Sequence, residues 1–111
     1  MDDEIHKILK QFKSQLKQSF RNDIQDVILF GSQVTGEMLG NSDYDILIVL
    51  NRDYDRVYKE KILDVVYDFE LKYEIFIDFK IISIQELNHS IRGKQPIFRE
   101  AIEKGVHFWN Y

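Results

Sequence analysis

Three short apolar runs set the frame for this chain: DVILF at 26–30, DYDILIVL at 43–50 and EIFIDFKII at 74–82. Each is too short for a buried helix and rich in Ile, Val and Phe, so each predicts a buried strand. The segments around them carry a different period. Ile5, Ile8, Leu9, Phe12, Leu16 and Phe20 recur at helical spacing with Lys and Gln between them, predicting an amphipathic helix over 3–21. Val57, Ile62, Val65, Val66, Phe69 and Tyr73 predict a second over about 54–73, with Asp53 as its cap. Ser83 with Glu86 has capping-box spacing and opens a short helix at 84–91, while Pro96 suits the first turn of a last helix ending at Gly105. Strands alternating with helices in this order predict an α/β (α+β) layer domain, a small mixed β-sheet with helices packed on it.

A chain of 111 residues can build one core and not two, so 1–111 reads as a single domain. Hydrophobic residues make up 44%, which suffices to fill that core and sets the chain apart from disordered compositions. A formal charge of -4 argues against a dedicated nucleic-acid surface, because phosphate binding needs clustered Lys and Arg; any polyanion site must be local. The absence of cysteine excludes disulfides and thiolate zinc sites. The charged start MDDEIHK and the lack of a long apolar stretch argue against a signal peptide or membrane span, so the expected location is the cytoplasm.

The chemistry gathers around the first two strands. Side chains at i and i+2 of a strand share a face, so Asp43 and Asp45 present two carboxylates side by side with Tyr44 turned away. Like charges at that spacing repel unless divalent cations sit between them, and hard oxygen ligands suit Mg²⁺ or Mn²⁺. The plain alternative is a solvated strand start, where Asp is common. Asp78 lies within IFIDFKI, where a carboxylate in a strand buried on both faces needs compensation. Alternation sets Phe76, Asp78 and Lys80 on one face, so Asp78 either pairs with Lys80 or, if the third strand lies beside the second, joins Asp43 and Asp45. Gly31 lets the backbone approach a ligand, and the amide and hydroxyl of Ser32, opening a helical turn or two in 32–39, form an anion cradle for a polyphosphate.

Gly31-Ser32, ten intervening residues, Asp43-x-Asp45 and a later strand aspartate at Asp78 together resemble the pattern of nucleotidyltransferases related to DNA polymerase beta. At this size the chain is similar to the minimal nucleotidyltransferase (MNT) group, and the order of helices and strands extends the resemblance over most of its length. The resemblance implies a polymerase beta palm-like fold. It also implies transfer of a nucleoside monophosphate, AMP from ATP, to an acceptor hydroxyl with loss of pyrophosphate. Asp43 and Asp45 would hold two Mg²⁺, Asp78 would bind the metal near the acceptor and take its proton, and Gly31 and Ser32 would hold the triphosphate tail. A two-metal site of this kind stabilises the attacking and leaving oxygens of an in-line displacement.

One departure stands out. Family members often carry arginine just after Gly-Ser, whereas this chain has Gln33, Val34 and Thr35; Lys80, Arg92 or Arg99 would have to replace it, or remain exposed solubilising residues. His6, His89 and His107 lack metal-ligand spacing and read as surface or packing residues. The MNT group resembles antitoxins paired with HEPN ribonuclease toxins, in which AMP is added to a toxin tyrosine. A HEPN-type protein partner, and surface borrowed from it or from a second copy, are therefore expected. Phe108 and Trp109 in VHFWNY would serve a partner interface or dock to complete the core. Two other readings stay open: an aminoglycoside-type small-molecule transferase, and a binding module that neutralises a partner by contact alone.

Overall fold

A computed structural model of the chain describes residues 3–31 and 44–109. Its elements run α1 (Asp3–Phe20), β1 (Ile24–Phe30), β2 (Tyr44–Leu50), α2 (Arg56–Tyr73), β3 (Ile77–Ser83), α3 (Ile84–His89), a 3-10 turn (Arg92–Lys94), α4 (Pro96–Lys104) and β4 (Val106–His107). The described strands form one mixed sheet in the order β3-β2-β1-β4. β1 pairs antiparallel with β2 and β4, while β2 and β3 run parallel. A parallel neighbour requires a crossover, and α2 supplies it. The mixed sheet with packed helices is the architecture expected from the order of periods.

Both faces of the central strands are covered, which is why their sequences are nearly continuous apolar runs rather than alternating ones. On one face Leu29, Ile46, Ile48 and Ile81 meet Phe12 and Leu16 of α1 and Ile62, Val66 and Phe69 of α2. Phe12 and Phe69 pack edge to face with ring centroids 5.0 Å apart. On the other face Ile28, Leu47, Val49 and Ile82 lie under Leu87 of α3 and Phe98 and Ala101 of α4.

Local chemistry sets the element ends, with some shifts from expectation. Asp55 rather than Asp53 caps α2, its Oδ1 accepting from the Tyr58 amide at 2.8 Å. Glu74 ends that helix in the left-handed region at φ 53, and its amide donates to the Glu70 carbonyl. The turn consumes residues 75 and 76, so β3 starts at Ile77 and not at 74. The capping box of α3 forms as its spacing predicts: Ser83 Oγ accepts from the Glu86 amide at 3.0 Å, and Glu86 Oε1 accepts from the Ser83 amide at 3.1 Å. The expected helical turn at 32–39, with Gly36 and Gly40, lies outside the described residues.

The tail docks. β4 pairs with β1, the Phe108 amide donates to the Val27 carbonyl at 3.0 Å, and Phe108 and Trp109 are only 4% and 5% exposed within the α1–α2 core. Of the two readings of VHFWNY, core completion therefore holds for these rings, and they are not available to a partner. His107 is the clasp. Its Nδ1 faces Asp26 Oδ2 at 2.5 Å and its Nε2 faces the Ile102 carbonyl at 2.8 Å.

Candidate active site

The region around the glycine and the strand aspartates is assembled by sheet register. Tyr44 pairs with Ile77 and Asp45 with Asp78, so the two carboxylates start adjacent parallel strands on the same face. The ladder continues one step outward, the Tyr44 amide donating to the Phe76 carbonyl at 2.9 Å. Glu70 Oε2 accepts from the Ile77 amide at 2.8 Å, tying the start of β3 to the last turns of α2. Asp78 thus owes its place to the αL exit from α2 and the parallel pairing with β2.

The third participant comes from β1. Asp45 lies opposite Phe30, and Gly31 follows with φ +77, a conformation that favours glycine. A Cβ there would collide with Asp45 Oδ2 and come within 3.0 Å of Asp45 Cγ. Glycine therefore serves twice, making the turn and leaving the Asp45 carboxylate its space. Ser32 and Asp43 lie outside the described residues, as do Gln33, Val34 and Thr35.

Asp78 differs from expectation in one respect. As the second residue of β3 it is exposed, not buried on both faces, so burial does not demand compensation there. Its partner is Lys80 two residues on, with Nζ 3.7 Å from Oδ1 and side chains 32% and 54% exposed for Lys80 and Asp78. Such a half-exposed pair contributes little to stability. Among the described residues no group of three or more His, Cys, Asp or Glu is placed to hold a metal; Asp45 and Asp78 supply two hard oxygen donors on one face.

The two arginines considered as phosphate contacts are committed elsewhere. Arg92 donates to the Ile81 carbonyl at 2.8 Å, to Glu86 Oε2 at 3.0 Å and to the Tyr54 hydroxyl at 3.1 Å, pinning the 3-10 turn to the far end of β3. Burial acts to raise the Glu86 carboxyl, but bonds from Tyr54, the Ser83 amide and Arg92 outweigh it and hold it below the usual carboxylate range. Arg99 donates to the Leu87 carbonyl at 2.9 Å. Arg92 is thus half-buried and held by the fold, whereas Arg99 stays exposed, as a solubilising residue would, while bonding that one carbonyl; of the three candidate cations only Lys80 stands on the carboxylate face.

A mixed sheet, a glycine elbow after the first strand and carboxylates opening the next two define a nucleotidyltransferase-type fold. The nucleotidyltransferase domain family matches residues 7–106, and the chain belongs to that family. A protein of Methanocaldococcus jannaschii, provisionally named a protein adenylyltransferase, is 34% identical over 99 residues, covering 89% of this chain and 92% of its own. Two solved toxin–antitoxin structures share the fold. A mutant MntA–HpeT complex matches with a TM-score of 0.59 at 14% identity, covering 92% of this chain and 73% of the other. A toxin–antitoxin structure with AMP-PNP matches with a TM-score of 0.57 at 16% identity, again covering 92% and 73%. The chain is thus a nucleotidyltransferase. No helix among the described residues is long and apolar enough to cross a membrane.

Proposed function

We propose that this chain, as a single nucleotidyltransferase domain, transfers AMP from ATP to a tyrosine hydroxyl of a HEPN-type partner and so acts as the antitoxin of a pair. The observation that carries the reading is the pairing of Asp45 with Asp78 beside the Gly31 elbow. Asp43, Asp45 and Asp78 would hold two Mg²⁺, or Mn²⁺, which when bound neutralise the triphosphate and stabilise the attacking and leaving oxygens. Gly31 lets the chain close on the triphosphate, and the Ser32 amide and hydroxyl hold its tail. The acceptor oxygen attacks the α-phosphorus, its proton passes to Asp78, and the bond to the β-phosphate breaks to release pyrophosphate. Positioning and charge do most of this work. Support for a protein acceptor comes from the relative's protein adenylyltransferase name and from the toxin–antitoxin neighbours.

A second reading, neutralisation by contact alone, draws on the Asp78–Lys80 ion pair, which would occupy one of the carboxylates. One assay separates the two. Incubation with α-labelled ATP, Mg²⁺ and a co-expressed HEPN partner is expected to label the partner, and Asp43→Asn or Asp45→Asn is expected to abolish the label. Tight partner binding without label from any triphosphate would establish contact alone, and modification of an aminoglycoside without a partner would redirect the acceptor class.

A further inference from the structure

Phe69 holds α2 to the core, while Tyr67 and Leu71, two residues to either side of it, lie about 200° round the helix and face outward. A surface helix normally gives that face to polar residues. Here Leu71 is 80% exposed, Tyr67 54% and, just past the helix, Phe76 69%. The three line one groove of about 750 Å³ together with Glu70, Glu74 and Ile75. Their exposed surface is on the order of 400 Å², the scale at which an apolar patch marks an interaction site.

The charges beside the groove run against the helix that carries them. A helix favours acids at its start and bases at its end, yet α2 has no acid in its first turn, while Glu70 lies in its last turn and Glu74 caps it. From Ile62 to Asp78 the chain carries five acids, Asp64, Asp68, Glu70, Glu74 and Asp78, against one base, Lys72. Lys72 sets its Nζ 5.4 Å from the Tyr73 ring centre, and among the described residues no cation pairs with Asp64, Asp68 or Glu74.

An apolar floor with an acidic rim selects its occupant. The rim repels nucleic acid and anionic lipid headgroups. In a two-fold contact with a second copy the patch meets itself, so Asp68 and Glu74 would oppose their own counterparts. The patch also offers only about half of the roughly 800 Å² that each partner buries in a stable interface. A single helix of another protein, with aliphatic residues in the groove and Lys or Arg against the rim, suits both the size and the charge. Phe76 stands two residues before Asp78, so a protein seated there reaches the carboxylate assigned to the acceptor proton.

We infer that the groove of Tyr67, Leu71 and Phe76 is the docking site for a basic amphipathic helix of the protein whose hydroxyl is modified. The inference rests on the protein-acceptor reading above, and the two are tested apart.

Docking is measured without ATP or Mg²⁺, by titrating the full chain into a fluorescein-labelled peptide of about 14 residues, about four helical turns. The peptide carries a leucine stripe flanked by lysines; controls are its scrambled isomer and a version with glutamate in place of lysine. Fluorescence anisotropy is expected to show saturable binding of the basic peptide, weakened at least about tenfold in Leu71→Gln/Phe76→Thr and about threefold in Glu74→Lys. Both variants are expected to melt with the parent, since the replaced side chains are exposed. Equal binding of either control, undiminished binding by the double variant, or no saturation by about 1 mM chain would each overturn the assignment. A dimer of the parent in sedimentation velocity that the double variant loses would give the groove to a second copy instead. Labelling of the co-expressed partner with an unchanged KM in the double variant would overturn the docking and keep the transfer. Peptide binding that the double variant loses, with no label on the partner from any triphosphate, would remove the transfer and keep the docking.

Discussion

The two faces of the sheet are finished differently. On the α1–α2 side, apolar side chains from Ile24 to Ile77 are closed over by two 18-residue helices. On the other side the cover is shorter: α3 and α4 bury Ile28, Leu47, Val49 and Ile82, and beyond them stand Asp45, Asp78 and Lys80. The same strands thus give one face to stability and leave part of the other to polar chemistry, where charges keep contact with water and escape the desolvation cost of the interior. This division implies that substitutions at the two places separate: one set changes activity at constant stability, the other stability first.

The largest effect is expected at the open end. Asp45→Asn keeps the size of the side chain and removes its charge, so nucleotidyl transfer is expected to fall by at least about 10³-fold, some 4 kcal/mol of barrier. Its thermal midpoint should stay within a few degrees of the parent. A large loss of stability with retained label incorporation would erase the distinction between the faces. The matching change on the closed side is Phe69→Ala. Phe69 is fully buried against Phe12, and urea unfolding is expected to show a loss of about 3–5 kcal/mol. Where the variant remains folded, ATP binding measured by calorimetry should be preserved.

Gly31 sits at the junction and should register in both readouts. Alanine there must adopt φ +77 and drive its Cβ onto Asp45, so a stability loss of about 1–2 kcal/mol is expected from the backbone alone. Transfer should fall further than that loss explains, because the Asp45 carboxylate must move. If activity tracked the folded fraction alone, the close approach of Gly31 to Asp45 would be irrelevant to function.

What could be read before folding follows the same line between local and distant. The Ser83–Glu86 box, the Pro96 start of α4 and the periods of α1 and α2 involve residues within a turn or two of each other, and they form where the chain spells them. Alternation correctly put Asp78 and Lys80 on one face, but whether that face adjoins Asp45 depends on a parallel pairing between residues 33 positions apart. The exit from α2 moved the start of β3 and left Asp78 exposed, a detail that hydropathy in EIFIDFKII masks. Arg92 looks like a solvated charge in sequence and becomes an anchor because Ile81 offers its carbonyl once α3 folds back, whereas Arg99 stays exposed even as it bonds the Leu87 carbonyl. Ser32 and Asp43, which complete the sequence motif, lie outside the described residues.

The smallest expected effect concerns the edge where the two faces are joined by the tail. Burial alone would lower the His107 pKa, but Asp26 and the Ile102 carbonyl outweigh it and raise the imidazole above its ordinary 6.5. Both partners are acceptors, so satisfying them requires both ring N–H groups and hence the protonated form. A group whose pKa rises on folding stabilises fully below its unfolded value and loses that contribution as pH climbs through the folded value. Stability should therefore be flat below about pH 6.5 and decline above it, by on the order of 1 kcal/mol or less because the His107 side chain is 40% exposed to screening water. Thermal melts across pH 5.5 to 9 are expected to lose this slope in His107→Gln, at roughly these values for a histidine clasp. The Asp45 and Phe69 variants should keep the slope, since neither touches β4; its loss in either would mean that the two faces are coupled through the tail.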